Sequence, residues 1–185
     1  MKKVLFLMMA LMMCFAGSIN AQIDSLVMTQ DGYKPITLTI DSVNQKTLHD
    51  RFYNFCLDFW KNPDEVIKVN ESDRIRVSGQ IFTSYQTTLG ITTGFPVYAT
   101  VLCEFKDGKF RISFSNIYFG VKPSQYNGYA TTQDFNPSGY FKKDGSPRTG
   151  EMYVKGRKDF DSNMQLFVKD IYQKLSTQTV TNSGW

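Results

Sequence analysis

Apolar and polar residues alternate with a period of two through three long stretches of this chain and recur every three to four residues through two others, which separates strands from helices. Pro35 to Ile40 sets Ile36, Leu38 and Ile40 against Thr37 and Thr39, a strand pattern. Leu48, Phe52, Phe55, Cys56 and Phe59 then share one helical face, with Ser42 and Gln45 spaced as a capping box and Asn62-Pro63 as the stop. Val66 to Val69 reads as a short strand turning through Glu71-Ser72-Asp73 into a longer one. There Ile75, Val77, Gly79 and Ile81 share a face opposite Arg74, Arg76, Ser78 and Gln80.

A Thr- and Gly-rich loop from Thr87 to Gly94 leads to Val97, Ala99, Val101, Cys103 and Phe105 on one face. Asp107-Gly108 follows, and a two-residue hairpin with a primed turn pairs Lys106 with Lys109, Phe105 with Phe110, Cys103 with Ile112 and Val101 with Phe114. The same register sets Glu104 opposite Arg111 on the other face, so turn chemistry and side-chain pattern agree. Around Asn116 to Tyr118 the alternation changes phase, which predicts a bulge. Helical spacing returns at Phe160, Met164, Phe167, Val168, Ile171 and Leu175.

Between these elements, residues 122–158 form a long segment of Gly, Tyr, Ser and Pro, expected to be irregular, and 177–185 form a polar tail. The order is strand, helix, four antiparallel strands, loop, helix. One-sided helices and a one-sided sheet bury their apolar faces only by lying together. The fold class is therefore α+β, a curved antiparallel sheet with both helices on one face, in a single domain spanning 22–176.

The N-terminal segment changes the picture of the compartment. Lys2 and Lys3, the apolar run Val4 to Ala16 and the small-residue approach to Ala21 have the three parts of a secretory signal peptide, with cleavage expected after Ala21. The run is too short for a stable membrane anchor, and Leu11, Met12 and Met13 ahead of Cys14 do not form a lipoprotein box. The expected location is periplasmic or secreted. Beyond residue 21 the basic residues are scattered among acids, which argues against a surface tracking nucleic acid. Cys56 and Cys103 both sit in apolar patterns, where a free thiol packs as a small hydrophobe, although an oxidising compartment permits a bridge.

The stretch Leu48-His49-Asp50-Arg51-Phe52-Tyr53-Asn54-Phe55, continuing through Asp58-Phe59-Trp60, Val66-Ile67 and Asp73-Arg74-Ile75-Arg76-Val77-Ser78-Gly79, resembles a secreted domain of unknown function from Bacteroides-type bacteria with a TATA-binding-protein-like fold. The resemblance covers Ile36 to Phe119 and rests on packing and turn residues. It implies a fold and a compartment, with no activity, cofactor or site residues, and the name of a fold implies no DNA binding.

Candidate chemistry is sparse. His49, the single histidine, is seven residues from Cys56, about 10.5 Å of helical rise, so those two cannot form a nucleophilic pair, and His49 reads as a polar helix-surface residue. There is no CxxC and no HxxxH, and the carboxylates are dispersed, so no metal or cofactor is expected. Gly90 to Gly94 lacks the Lys-Ser/Thr of a phosphate loop.

Two groups of aromatic residues remain. Tyr126, Tyr129, Phe135, Tyr140, Phe141 and Tyr153 in the long loop suit either recognition or packing over an end of the sheet. Phe82, Tyr98 and Leu102 are expected on the sheet face away from the helices. Candidate partner contacts are therefore Phe82, Tyr98, Leu102, Tyr126, Tyr129, Tyr140 and Phe141. The expected function is a noncatalytic exported module binding a protein or small-molecule ligand. The alternatives are a hydrolase whose carboxylates converge only in the fold and a structural envelope-assembly protein.

Overall fold

A computed structural model describes residues 26–88, 91–121 and 131–177. A two-residue ribbon, β1 (Met28–Thr29) with β2 (Gly32–Tyr33), precedes β3 (Ile36–Thr39), helix α1 (Gln45–Phe59) and the short helix α2 (Pro63–Val66). Then come β4 (Ile67–Glu71), β5 (Arg74–Thr88), β6 (Ile91–Lys106), β7 (Lys109–Val121) and β8 (Thr131–Asp134). A 3-10 turn, Pro137–Tyr140, leads to the long helix α3 (Glu151–Ser176).

The main sheet is antiparallel in the order β3-β7-β6-β5-β4, and β8 pairs with β7 beyond the end of β3. Its inward residues Ile75, Val77, Val97, Val101, Cys103 and Ile112 are fully buried, under Leu48, Phe52 and Cys56 of α1 and Met164, Val168, Ile171 and Leu175 of α3. The rings of Phe55 and Phe167, one from each helix, lie 6.2 Å apart, and Phe114 of β7 lies 6.3 Å from Phe167. Both helices therefore cover the same face, as the one-sided patterns require.

The hairpin register is the one read from the sequence: Phe105 opposite Phe110, Cys103 opposite Ile112, Val101 opposite Phe114 and Glu104 opposite Arg111. The turn itself differs. Only Gly108 has positive φ, so the turn is not primed. Tertiary bonds hold it instead: Gly108 N–H donates to Val43 O, Ile40 N–H donates to Gly108 O, and the Asp107 carboxylate accepts from Gln45 N–H, each at 2.8 Å. The bulge near Asn116 is present. Thr100 pairs with Ser115 and Tyr98 with Tyr118, so an extra residue enters β7, and Asn116 takes φ 48°.

Four expectations are corrected. The cap of α1 is Asn44, whose side chain accepts from Thr47 N–H at 2.8 Å, whereas Ser42 occupies the left-handed region at φ 64° and cannot cap. Within the expected Thr87 to Gly94 loop, Thr87–Thr88 and Ile91–Gly94 are strand: β5 runs to Thr88 and β6 starts at Ile91, and the long ribbon satisfies backbone groups that a loop would leave to water. Residues 122–158 are not irregular throughout, since β8, the 3-10 turn and the first turns of α3 fall within them. Phe59, placed on the apolar stripe of α1, is 39% exposed at its margin. The expected signal segment and most of the expected tail lie outside the described residues.

Candidate functional site

Alternation that buries Val77, Val101 and Phe114 must send their neighbours to the reverse face of the sheet, which no described helix covers. Successive rows there run Arg76–Leu102–Ser113, Ser78–Thr100–Ser115 and Gln80–Tyr98–Tyr118 across β5, β6 and β7. The Ser78 and Thr100 hydroxyls lie 3.2 Å apart. The bulge in β7 shifts the side-chain phase by one, which turns Tyr118 onto this face and lets it stack on Tyr98, with ring centroids 5.1 Å apart and planes within 8°. Gly120 leaves room for the stack, since a Cβ there would stand 2.9 Å from Tyr98 Cε2. Further out, Tyr85 lies over its cross-strand partner Gly94 and is 72% exposed.

Charge is confined to one end of this face. There Arg111 meets Glu104 at 2.6 Å and Arg74 meets Glu71 at 2.5 Å, and Arg76, Lys106 and Lys109 add positive charge. From Val77 to Cys103 the sequence contains no charged residue, in a chain of which 21% is charged. The face thus grades from an ion-pair ladder to a neutral surface of hydroxyls and tyrosines.

The predicted contact residues do not converge. Tyr98 and Leu102 are half-buried on the reverse face, as expected. Phe82 is on the opposite one: β5 carries a bulge between Gln80 and Phe82, which points both Ile81 and Phe82 inward, and the Phe82 ring meets Phe160 of α3 edge-on at 5.4 Å. Tyr140 and Phe141 also lie on the helix side. Phe141 is buried, and Tyr140 packs against Phe135, itself stacked on Phe160 at 4.3 Å. These loop rings close the end of the core. Tyr153 instead meets the Arg148 guanidinium, 5.1 Å from its ring centre. Tyr126 and Tyr129 lie outside the described residues. The sequence reading missed Tyr118 and Tyr85; the phase change at Asn116 was the available signal for Tyr118.

On the helix side, the Tyr33 hydroxyl donates to Asp161 Oδ1 at 2.5 Å. Burial, and then this bond, pushes the Tyr33 hydroxyl far above its ordinary range. Burial also raises the Asp161 carboxyl, opposed by the bond from Tyr33 and by Arg157. A cleft of about 420 Å3 opens between α1 and the end of α3, lined by Phe55, Asp58, Phe59, Asp170, Gln173, Lys174 and Thr177. Lys174 Nζ bonds to Asp58 Oδ2 at 3.0 Å, with both side chains more than half exposed.

His49 is more enclosed than a surface residue. Its Nε2 lies 2.8 Å from Asn70 Oδ1, its Nδ1 3.2 Å from Asp50 Oδ1, and its ring edge rests on Phe105. Both thiols are free and buried. Burial pushes Cys56 up to about 12 and Cys103 well above its ordinary range, so neither is a ready nucleophile. Among the described residues no three His, Cys, Asp or Glu side chains gather as metal ligands, and no helix is long and apolar enough to cross a membrane.

Two solved structures share this architecture. A TBP-like protein from Parabacteroides distasonis is 14% identical over 78% of this chain and 92% of its own, with a TM-score of 0.50. A DUF4468 family protein from Bacteroides ovatus is 9% identical over 85% of this chain and 94% of its own, with a TM-score of 0.60. At these identities the likeness establishes a fold: the TBP-like α+β arrangement, shared with an uncharacterised domain of Bacteroides-type bacteria. No family model and no curated protein matches the chain.

Proposed function

We propose that this chain is a noncatalytic binding module of the cell envelope that presents the reverse face of its sheet to a protein partner. One observation carries the reading: the stacked Tyr98–Tyr118 pair stands on a sheet face that no described helix covers, on the side of Thr100 away from the charged end. Tyrosines combine a large apolar area with a polar tip at small conformational cost, which suits them to protein contact. An open sheet face fits a protein better than a small molecule, which binds in concave sites. Export is supported by Lys2, Lys3 and the apolar run Val4 to Ala16. Nucleic acid is a poorer fit, because the basic residues are scattered among acids and Arg74 and Arg111 are paired with carboxylates.

The hydrolase alternative draws on the cleft, where Asp58 and Asp170 both line the wall. It has less support. Acid–base catalysis needs two carboxyls held in contrasting environments, and Asp58 is open to water and tied to Lys174.

The test places a photo-crosslinking residue at Leu102 and, separately, at Leu166 on α3, in the native host. Adducts of one defined mass from position 102, absent from 166 and reduced about tenfold or more by Tyr98→Ala with Tyr118→Ala, are expected, since losing such anchors costs about 2 kcal/mol or more. Adducts from 166 alone, or adducts indifferent to the tyrosines, overturn the proposal.

A further inference from the structure

The outer edge of β5 changes character along its length. Arg74 to Val77 are paired with β4, and the Gly79–Gln80 stretch is covered by Val66 and by Trp60, whose Nε1 donates to Gln80 O at 2.8 Å. From Ile81 to Thr88 the strand still pairs with β6 on its inner side, but its outer side has no backbone partner among the described residues. An exposed row of strand N–H and C=O groups is a template for another strand, and proteins guard such edges with Lys, Pro or inward charge. Here the guarding is slight: Ile81-Phe82-Thr83-Ser84-Tyr85-Gln86-Thr87-Thr88 has no charge and no proline, and its one bulge falls at Ile81, at the very start of the open stretch.

We propose that this edge pairs antiparallel with the same edge of a second copy of the chain, joining two sheets into one. Every charged residue of the chain lies outside Val77 to Cys103, so two copies meet along this stretch without like-charge contact. Antiparallel two-fold pairing centred between Ser84 and Tyr85 sets Ile81 against Thr88, Phe82 against Thr87 and Thr83 against Gln86, so large apolar residues meet β-branched ones across the ladder. It also consumes the edge, so the assembly stops at a dimer. Other segments of the chain are poorly placed to occupy it. Val121 and Thr131 pair with each other across β7 and β8, on the far side of β6 from this edge, and Thr177, the last described residue, lies in the cleft between the helices.

The test is hydrogen exchange on the purified chain across a hundredfold concentration range, with sedimentation velocity on the same samples. The expected result is a monomer–dimer equilibrium in which the outward-facing amides of Ile81–Thr88, those not bonded to β6, gain tenfold or greater protection as dimer accumulates. Thr83→Lys with Tyr85→Lys is expected to weaken the dimer at least tenfold with an unchanged circular dichroism spectrum, and Leu102→Asp on the reverse face to leave it intact. A monomer throughout, a dimer whose protection maps to the reverse face or the helix cleft, or full protection of these amides already at the lowest concentration would each overturn the proposal. The wild-type exchange experiment stands even if the lysine variant does not fold.

Discussion

Tyr33 and Asp161 show how burial writes a pH dependence into a fold. Above the ordinary carboxyl value the unfolded chain releases the Asp161 proton while the folded chain, with its raised pKa, still holds it. Stability therefore falls as pH rises across the window from the ordinary carboxyl value up to the raised one. Asp161→Asn is expected to remove that slope from a series of urea titrations between pH 3 and 7. Tyr33 behaves alike at the alkaline end, its folded pKa lying far above 10, so stability declines again above pH 10, and Tyr33→Phe flattens that limb. An unchanged slope in either variant would show that other groups carry it. The cysteines give a chemical counterpart: with both thiols buried and their pKa values raised, native protein is expected to resist alkylation at pH 8 and to react at both Cys56 and Cys103 once denatured.

Among the glycines, Gly79 has the most to lose. A Cβ there would stand 2.8 Å from Trp60 Nε1 and 3.0 Å from Val66 Cγ1, so Gly79→Ala is expected to push the indole off Gln80 O and cost about 1–3 kcal/mol in denaturant unfolding. An alternating strand pattern explains a small residue there without revealing what it admits. The indole comes from Trp60, just past the end of α1, and its position depends on how that helix lies on the sheet.

At the scale of elements, α1 has two caps of different origin. Asn44 is local and accepts from Thr47 N–H; Asp107 arrives from the β6–β7 turn and accepts from Gln45 N–H. Asn44→Ala is expected to cost about 1 kcal/mol, and Asp107→Ala a similar amount if the carboxylate acts chiefly as a cap. A double-mutant cycle then reads their coupling through the shared first turn. The two bulges make a similar contrast. The one at Asn116 left a trace, because the apolar residues change phase there. The one at Ile81 left none, because Ile81 and Phe82 are both apolar and either phase satisfies the pattern; only the ring of Phe160 shows that both face inward. The beginning of α3 was hidden for a related reason, since residues 151–155 are all exposed and carry no stripe.

For the whole molecule, the two layers meet through aromatic rings. Phe52 is fully buried, touching Phe55 at 5.9 Å and Phe105 at 5.7 Å between centroids, so Phe52→Ala is expected to cost about 3–5 kcal/mol and to lower the melting temperature by many degrees. The same single-sided layering leaves the reverse face of the sheet without a described helix over it.

What the amino-acid sequence determined alone is whatever depends on near neighbours along the chain: the alternation in β5, β6 and β7, the hairpin register around Asp107-Gly108, the stripes of α1 and α3, and from these the burial of both helices against one sheet face. Tertiary structure decided which side Phe82 takes, that Tyr140 and Phe141 seal the core instead of joining Tyr98, and that Tyr118 and Tyr85 share the open face. The physical reason is that one extra residue in a strand exchanges its two faces beyond that point. The bonds that make such a bulge favourable come from neighbouring strands, far away in the sequence.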